Sequence, residues 1–114
     1  VSEAEYIPER GDIVWISFNP QSGHEQAGRR PALTLSPGSY NSKAGLALFC
    51  PITSQKKGYP FEVALPAGLP VHGVALVDQI KSLDWRSRQV SPITQVPAVV
   101  LHEALGKIEV LLKL

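Results

Sequence analysis

Residues 13–18 read Ile-Val-Trp-Ile-Ser-Phe, with Ile13, Trp15 and Ser17 on one side of an extended chain and Val14, Ile16 and Phe18 on the other. Both sides are largely apolar, so a central strand is predicted, with Trp15 in the core. Further strands are predicted near 32–35, over 46–52, 61–65 and 73–77, and, shorter, around 89–93. Ser36 followed by Pro37 resembles an N-cap and first helical residue, giving a short helix before Gly45. A single helical turn is predicted at 82–86. Beyond Pro97, Leu101, Leu105, Ile108 and Leu112 recur at helical spacing and stripe one face of a C-terminal helix. The first ten residues are polar and read as a loose lead-in. Many short strands with one terminal helix predict a mainly β, α+β domain, a small and strongly curved sheet or partial barrel. No repeat, linker or low-complexity tract divides it, so residues 1–114 read as one domain.

Residues 19–31, NPQSGHEQAGRRP, interrupt this pattern between two strands. At about a dozen residues the loop is longer than an ordinary hairpin connection, and long loops in compact domains tend to carry function. Gly23 and Gly28 permit unusual backbone shapes, while Glu25, Arg29 and Arg30 supply a carboxylate and two guanidinium groups.

The net charge of +1 gives no overall basic footprint. Its distribution is more informative: residues 24–88 hold eight basic and four acidic residues, leaving three basic and six acidic ones for the two ends. A basic centre between acidic ends suits a local anion-binding face, and a solvated mixed surface accounts for the same counts. Cys50 is the single cysteine, which excludes an intrachain disulfide; in an apolar run it reads as a core residue rather than a catalytic thiol. No apolar run approaches the ~20 residues that span a bilayer, and Glu3, Glu5 and Glu9 stand where a signal peptide would be basic then apolar, so a cytoplasmic location is expected.

Gly11-Asp12-Ile13-Val14-Trp15, Phe18-Asn19-Pro20 and the run from Gly23 to Pro31 resemble the signature of the MazF/PemK family of toxin endoribonucleases. The likeness continues in order through Leu35-Ser36-Pro37, Tyr40-Asn41, Pro51-Ile52-Thr53, Lys57-Gly58-Tyr59-Pro60-Phe61 and Asp78-Gln79-Ile80-Lys81-Ser82. The resemblance implies an SH3-like barrel with helices at its edges and a homodimer. It further implies a ribosome-independent endoribonuclease that cuts single-stranded messenger RNA at a short sequence. In that reaction the 2′-hydroxyl beside the scissile phosphate attacks it, leaving 2′,3′-cyclic phosphate and 5′-hydroxyl ends. A cognate antitoxin of the MazE type, with an acidic tail lying along the groove, is the implied partner. The rivals are a non-nucleolytic toxin of the same fold that poisons DNA gyrase, as CcdB does, and a non-catalytic SH3-like binding module.

Arg30 precedes Pro31 and is thereby pushed toward an extended backbone, projecting from a strand start. Arginine stays protonated, a poor proton acceptor but a good clamp for a pentavalent phosphorus centre. A surface arginine paired with Glu25 is the plain alternative; the resemblance implies that Arg30 is catalytic. Thr53, after a strand and before a basic loop, is most simply structural, and the resemblance makes it the catalytic threonine paired with Arg30. Glu25 is a candidate general base or a loop-holding partner of an arginine.

RNA-contacting candidates are Phe18, Asn19, Arg29, Lys56, Lys57, Gln79 and Lys81. Among them and their neighbours, Lys56, Lys57, Lys81 and Arg86 suit phosphates, and Phe18, Tyr59 and Trp85 offer faces for stacked bases. Gln79 and Asp78 could read base edges. His24, His72 and His102 share no spacing that unites them in an acid–base pair. No Cys, His and carboxylate pattern forms a metal set, and no glycine-rich phosphate loop occurs, so no cofactor is expected and the cleavage is read as metal-independent.

Overall fold

A computed structural model describes residues 5–19 and 28–113. Seven strands and two helices follow in the order β1 (Asp12–Ser17), β2 (Arg29–Thr34), α1 (Gly38–Ala44), β3 (Leu46–Thr53), β4 (Glu62–Ala64), β5 (Val74–Leu76), β6 (Lys81–Asp84), β7 (Ser91–Gln95) and α2 (Ala98–Leu112). The strands form one antiparallel sheet in the order β4-β5-β3-β2-β1-β7, with β6 also pairing β3. β3 is the hub. Phe49 to Pro51 pair β2, while on its other edge Leu46 to Phe49 pair β6, and Ile52 and Thr53 pair β5. No pairing among the described residues joins β4 to β7, so the sheet is an open, partial barrel rather than a closed one.

Alternation along the strands sorts the core into two layers. Ile13, Leu33, Cys50 and Ile52 meet Val100 and Ala104 of α2 on one face. Val14, Ile16, Phe18, Phe49 and Trp85 pack on the other. Removing side chains of this size from water is worth ~1.5–3 kcal/mol each, which is why β1, apolar on both sides, is covered on both faces. Burial pushes the Cys50 thiol up to about 12, in keeping with a core role.

Four local expectations are corrected. Residues 81–84 form a strand where a helical turn was predicted: Leu83 and Trp85 are buried, Ser82 and Asp84 exposed, a period of two that outweighs the helix-like turn after it. Pro37, not Ser36, is the N-cap of α1. Ser36 is buried, where its hydroxyl donates to Asn41 Oδ1 at 2.6 Å and accepts the Leu48 N–H at 2.8 Å. The apolar stripe of α2 is rotated by about one residue: Val100 and Ala104 are buried, Leu101, Leu105 and Ile108 half-buried, and Leu112 exposed. The lead-in is tied down from Glu5 onward. The Tyr6 hydroxyl and the Glu9 N–H donate to Asp12 Oδ2, and Gln95 Nε2 donates to Asp12 Oδ1. Glu9 in turn accepts the Gly38 N–H at 2.7 Å, a bond that, with a second from Arg10 N–H, holds its carboxyl below the usual range. Among the described residues no helix is long and apolar enough to cross a membrane.

Candidate functional site

Arg29 and Arg30 open β2 rather than ending the loop, and Thr53 is the last residue of β3. The last pair of the β2–β3 ladder is Ala32 with Pro51, two residues from Arg30 on one strand and two from Thr53 on the other. Arg30 is paired with Ile16 of β1, and Thr53 with Val74 of β5, so each is held by a strand neighbour. Both line a cavity of about 520 Å³, together with Trp15, Pro31, Ile52 and His72.

The backbone beside Thr53 is closely packed. Gly73 has φ +118°, and a Cβ there would lie 2.0 Å from the Thr53 carbonyl oxygen, so glycine is what allows β5 to start against the end of β3. The Gln55 N–H donates to Thr53 Oγ1 at 3.2 Å, which leaves the hydroxyl proton of Thr53 to be donated elsewhere. Thr53 and Gln55 are also the near wall of a second cavity, about 350 Å³, whose far wall carries Lys57, Tyr59, Asp78 and Gln79. The two cavities therefore adjoin, with Thr53 and Gln55 lining both, and are together called the groove. Tyr59 is 61% exposed there, a face open to a flat ligand.

Other predicted residues fall elsewhere. Phe18 is 1% exposed, and Trp85, also 1% exposed, donates its indole N–H to the Asn41 carbonyl; neither offers a stacking face, because each fills the second core layer. Arg86 lies over the Trp85 ring and pairs with Glu5 at 2.9 Å. Asn19 holds the root of the long loop, its Oδ1 accepting the Gly28 N–H at 2.9 Å. Arg88 donates to the Ser17 and Asn19 carbonyls at the same root. Arg29 lines the first cavity but reaches across β1 to the Gln89 carbonyl at 2.7 Å and Ser91 Oγ at 3.3 Å. Lys56 is exposed beside the second cavity, and Lys81 stands opposite Phe49 on β6, lining neither cavity. Glu25 and His24 lie outside the described residues. Among those described, no three His, Cys, Asp or Glu residues converge as a metal-binding group.

Trp15 and His72 are among the groove residues that were not foreseen. Trp15, placed in the core from its strand, is 41% exposed. It alternates with Ile13 but lies beyond the residues that pack against Val100 and Ala104, opposite Pro31 at the cavity. His72 reaches the first cavity through the turn before β5, a placement set by the β3–β5 pairing and by no sequence spacing.

A family model for the PemK-like, MazF-like toxins of type II toxin–antitoxin systems matches residues 9–112. The chain belongs to this family. It is 48% identical over 109 residues to the endoribonuclease toxin MazF of Escherichia coli (strain K12), covering 96% of this chain and 97% of that one. The crystal structure of MazF (Form-I) from Deinococcus radiodurans superposes with a TM-score of 0.93 at 55% identity, covering 96% of this chain and 100% of the other. A MazE–MazF complex (Form-II) from the same organism gives a TM-score of 0.87, also at 55% identity, over 96% and 99% of the two chains. Membership in the PemK/MazF family, whose relatives are endoribonucleases, disfavours the gyrase-poison alternative.

Proposed function

We propose that this chain is the toxin of a type II toxin–antitoxin pair, acting as one domain in the cytoplasm to cut single-stranded messenger RNA, independently of the ribosome, at a short sequence. The observation that supports this reading is that Arg30, near the start of β2, and Thr53, at the end of β3, line one cavity. The 2′-hydroxyl next to the scissile phosphate is the nucleophile; its oxygen bonds to phosphorus, its proton passes to a base, and the 5′-oxygen of the next nucleotide leaves with a proton. Arg30 clamps the phosphorane oxygens and Thr53 donates to one of them. Glu25 is the candidate base. Lys56 and Lys57 meet flanking phosphates, while Tyr59 and Gln79 meet bases. Incubating the protein with a long unstructured RNA in excess EDTA should give discrete cuts at a recurring short sequence. Intact RNA, or cutting that returns only with added magnesium, contradicts this.

The partners follow from the surfaces. A MazE-type antitoxin with an acidic tail complements the basic groove and competes with RNA for it. A second copy of the chain is assigned to an apolar cavity of about 610 Å³ between α1, β3 and α2, lined by Tyr40, Leu48, Ile80, Leu105, Ile108 and Leu112. Exposed apolar patches of this kind mark association surfaces. Sedimentation at micromolar concentration should show a species of twice 12.4 kDa; a species of 12.4 kDa alone would exclude the homodimer.

A further inference from the structure

Glu62 opens β4, at one end of the sheet order, and its side chain is turned inward: the residue is 8% exposed. Burying a carboxylate is unfavourable unless it is hydrogen-bonded. Its Oε2 accepts the Lys57 N–H at 3.1 Å and its Oε1 the Gly58 N–H at 2.9 Å. Two successive backbone N–H groups closing on one anion form a nest, and charge-assisted bonds of this type are about twice as strong as neutral ones. The backbone of Glu62 is fixed as well, its N–H donating to the Tyr59 carbonyl at 3.1 Å and its carbonyl accepting Lys107 Nζ of α2 at 2.8 Å.

The 54–60 loop is otherwise exposed along its length and connects Thr53 to β4. It is held at its start by the Gln55 N–H on Thr53 Oγ1 and at its end by Glu62. Between these anchors stand Gln55, Lys57 and Tyr59, which line the second cavity together with Glu62 itself. An isolated loop with a left-handed Gly58 (φ +80°) would sample many shapes, and each would place Lys57 and Tyr59 differently.

We infer that Glu62 is a positioning residue for RNA binding: its buried carboxylate holds the 54–60 loop in the shape that presents Lys57 and Tyr59 to the strand. This rests on the groove being the RNA site. Glu62 does not line the cavity that holds Arg30, so its loss falls on affinity and spares the rate of the bound complex.

The test compares Glu62→Ala, Glu62→Gln and Gly58→Ala with the unaltered protein in two assays. In the first, trypsin cleavage after Lys56 and Lys57 is timed on RNA-free protein; Glu62→Ala should be cut at least about tenfold faster, since loop opening sets the rate. In the second, single-turnover cleavage is measured against enzyme concentration. The half-saturating concentration should rise about 5- to 50-fold, the scale of a lost base-stacking contact, while the saturated rate changes less than about threefold. Glu62→Gln keeps one acceptor oxygen and should fall between. Gly58→Ala leaves Glu62 in place and meets no atom within 4 Å, so it strains the loop backbone alone, and it should reproduce both shifts even if Glu62→Ala does not fold.

Unchanged trypsin cleavage would overturn the clamp. A loosened loop with unchanged half-saturation, or a saturated rate that falls as far as affinity, would overturn its role in positioning RNA. Should the unaltered protein cut no RNA at all, the functional reading fails, and the trypsin arm still decides whether Glu62 holds the loop.

Discussion

An RNA whose nucleotide on the 5′ side of the cut carries hydrogen in place of the 2′-hydroxyl will be bound and will yield no product. The missing oxygen is the nucleophile of this reaction, and the two side chains assigned to the phosphate, Arg30 and Thr53, serve as a clamp and a hydrogen-bond donor rather than as nucleophiles. Binding should weaken by no more than about tenfold, because one neutral hydrogen bond is worth about 0.5–1.5 kcal/mol. Slow cutting of this substrate to 5′-phosphate ends would require an activated water and would refute attack by the 2′-hydroxyl.

Arg30→Ala should slow cleavage by about 10²–10³-fold, roughly 3–4 kcal/mol, by analogy with loss of one oxyanion-hole donor. Phosphorane oxygens carry more negative charge than the phosphodiester does, so a guanidinium aimed at them stabilises the transition state more than the bound substrate. Its setting supports that selectivity. Pro31 keeps the Arg30 backbone extended, and its pairing with Ile16 of β1 braces the residue. Arg29 is the matched control. It lines the same cavity, but its guanidinium is engaged with Gln89 and Ser91 of the β7 side, so Arg29→Ala removes a tie between strands and should lower the melting temperature more than the cleavage rate.

Local pattern carried much of this site. Arg30 before a proline and Thr53 at a strand end were legible as positions, because extended backbone and strand limits are encoded within a few residues. What joins them is the pairing of strands into one sheet, a long-range property that the residues alone do not state and that the family resemblance implied. The same limit explains the misplacements. Trp15 obeys its strand's alternation, yet its exposure depends on how far α2 reaches over the sheet. Phe18 and Trp85 look like open aromatic faces in a list, and only the packing of Val14, Ile16 and Phe49 against them shows that they fill the second core layer. Ser36 has the chemistry of a cap, but a pairing with Asn41 and Leu48 across the fold captures its hydroxyl first. Glu62 is the one charged residue of the strand predicted over 61–65, and the loop that folds back onto it supplies the N–H groups that let its carboxylate be buried.

The most direct measurement separates binding from chemistry at Arg30. Single-turnover rates are taken at saturating enzyme for the unaltered protein, Arg30→Ala and Arg29→Ala, with affinities determined on the uncleavable 2′-deoxy RNA. A catalytic Arg30 predicts a saturated rate lower by about 10²–10³-fold with affinity changed far less, and a much smaller loss of rate for Arg29→Ala. Equal losses for the two variants, or a loss for Arg30→Ala wholly accounted for by weaker binding, would show that Arg30 only positions the RNA and that the catalytic group lies elsewhere.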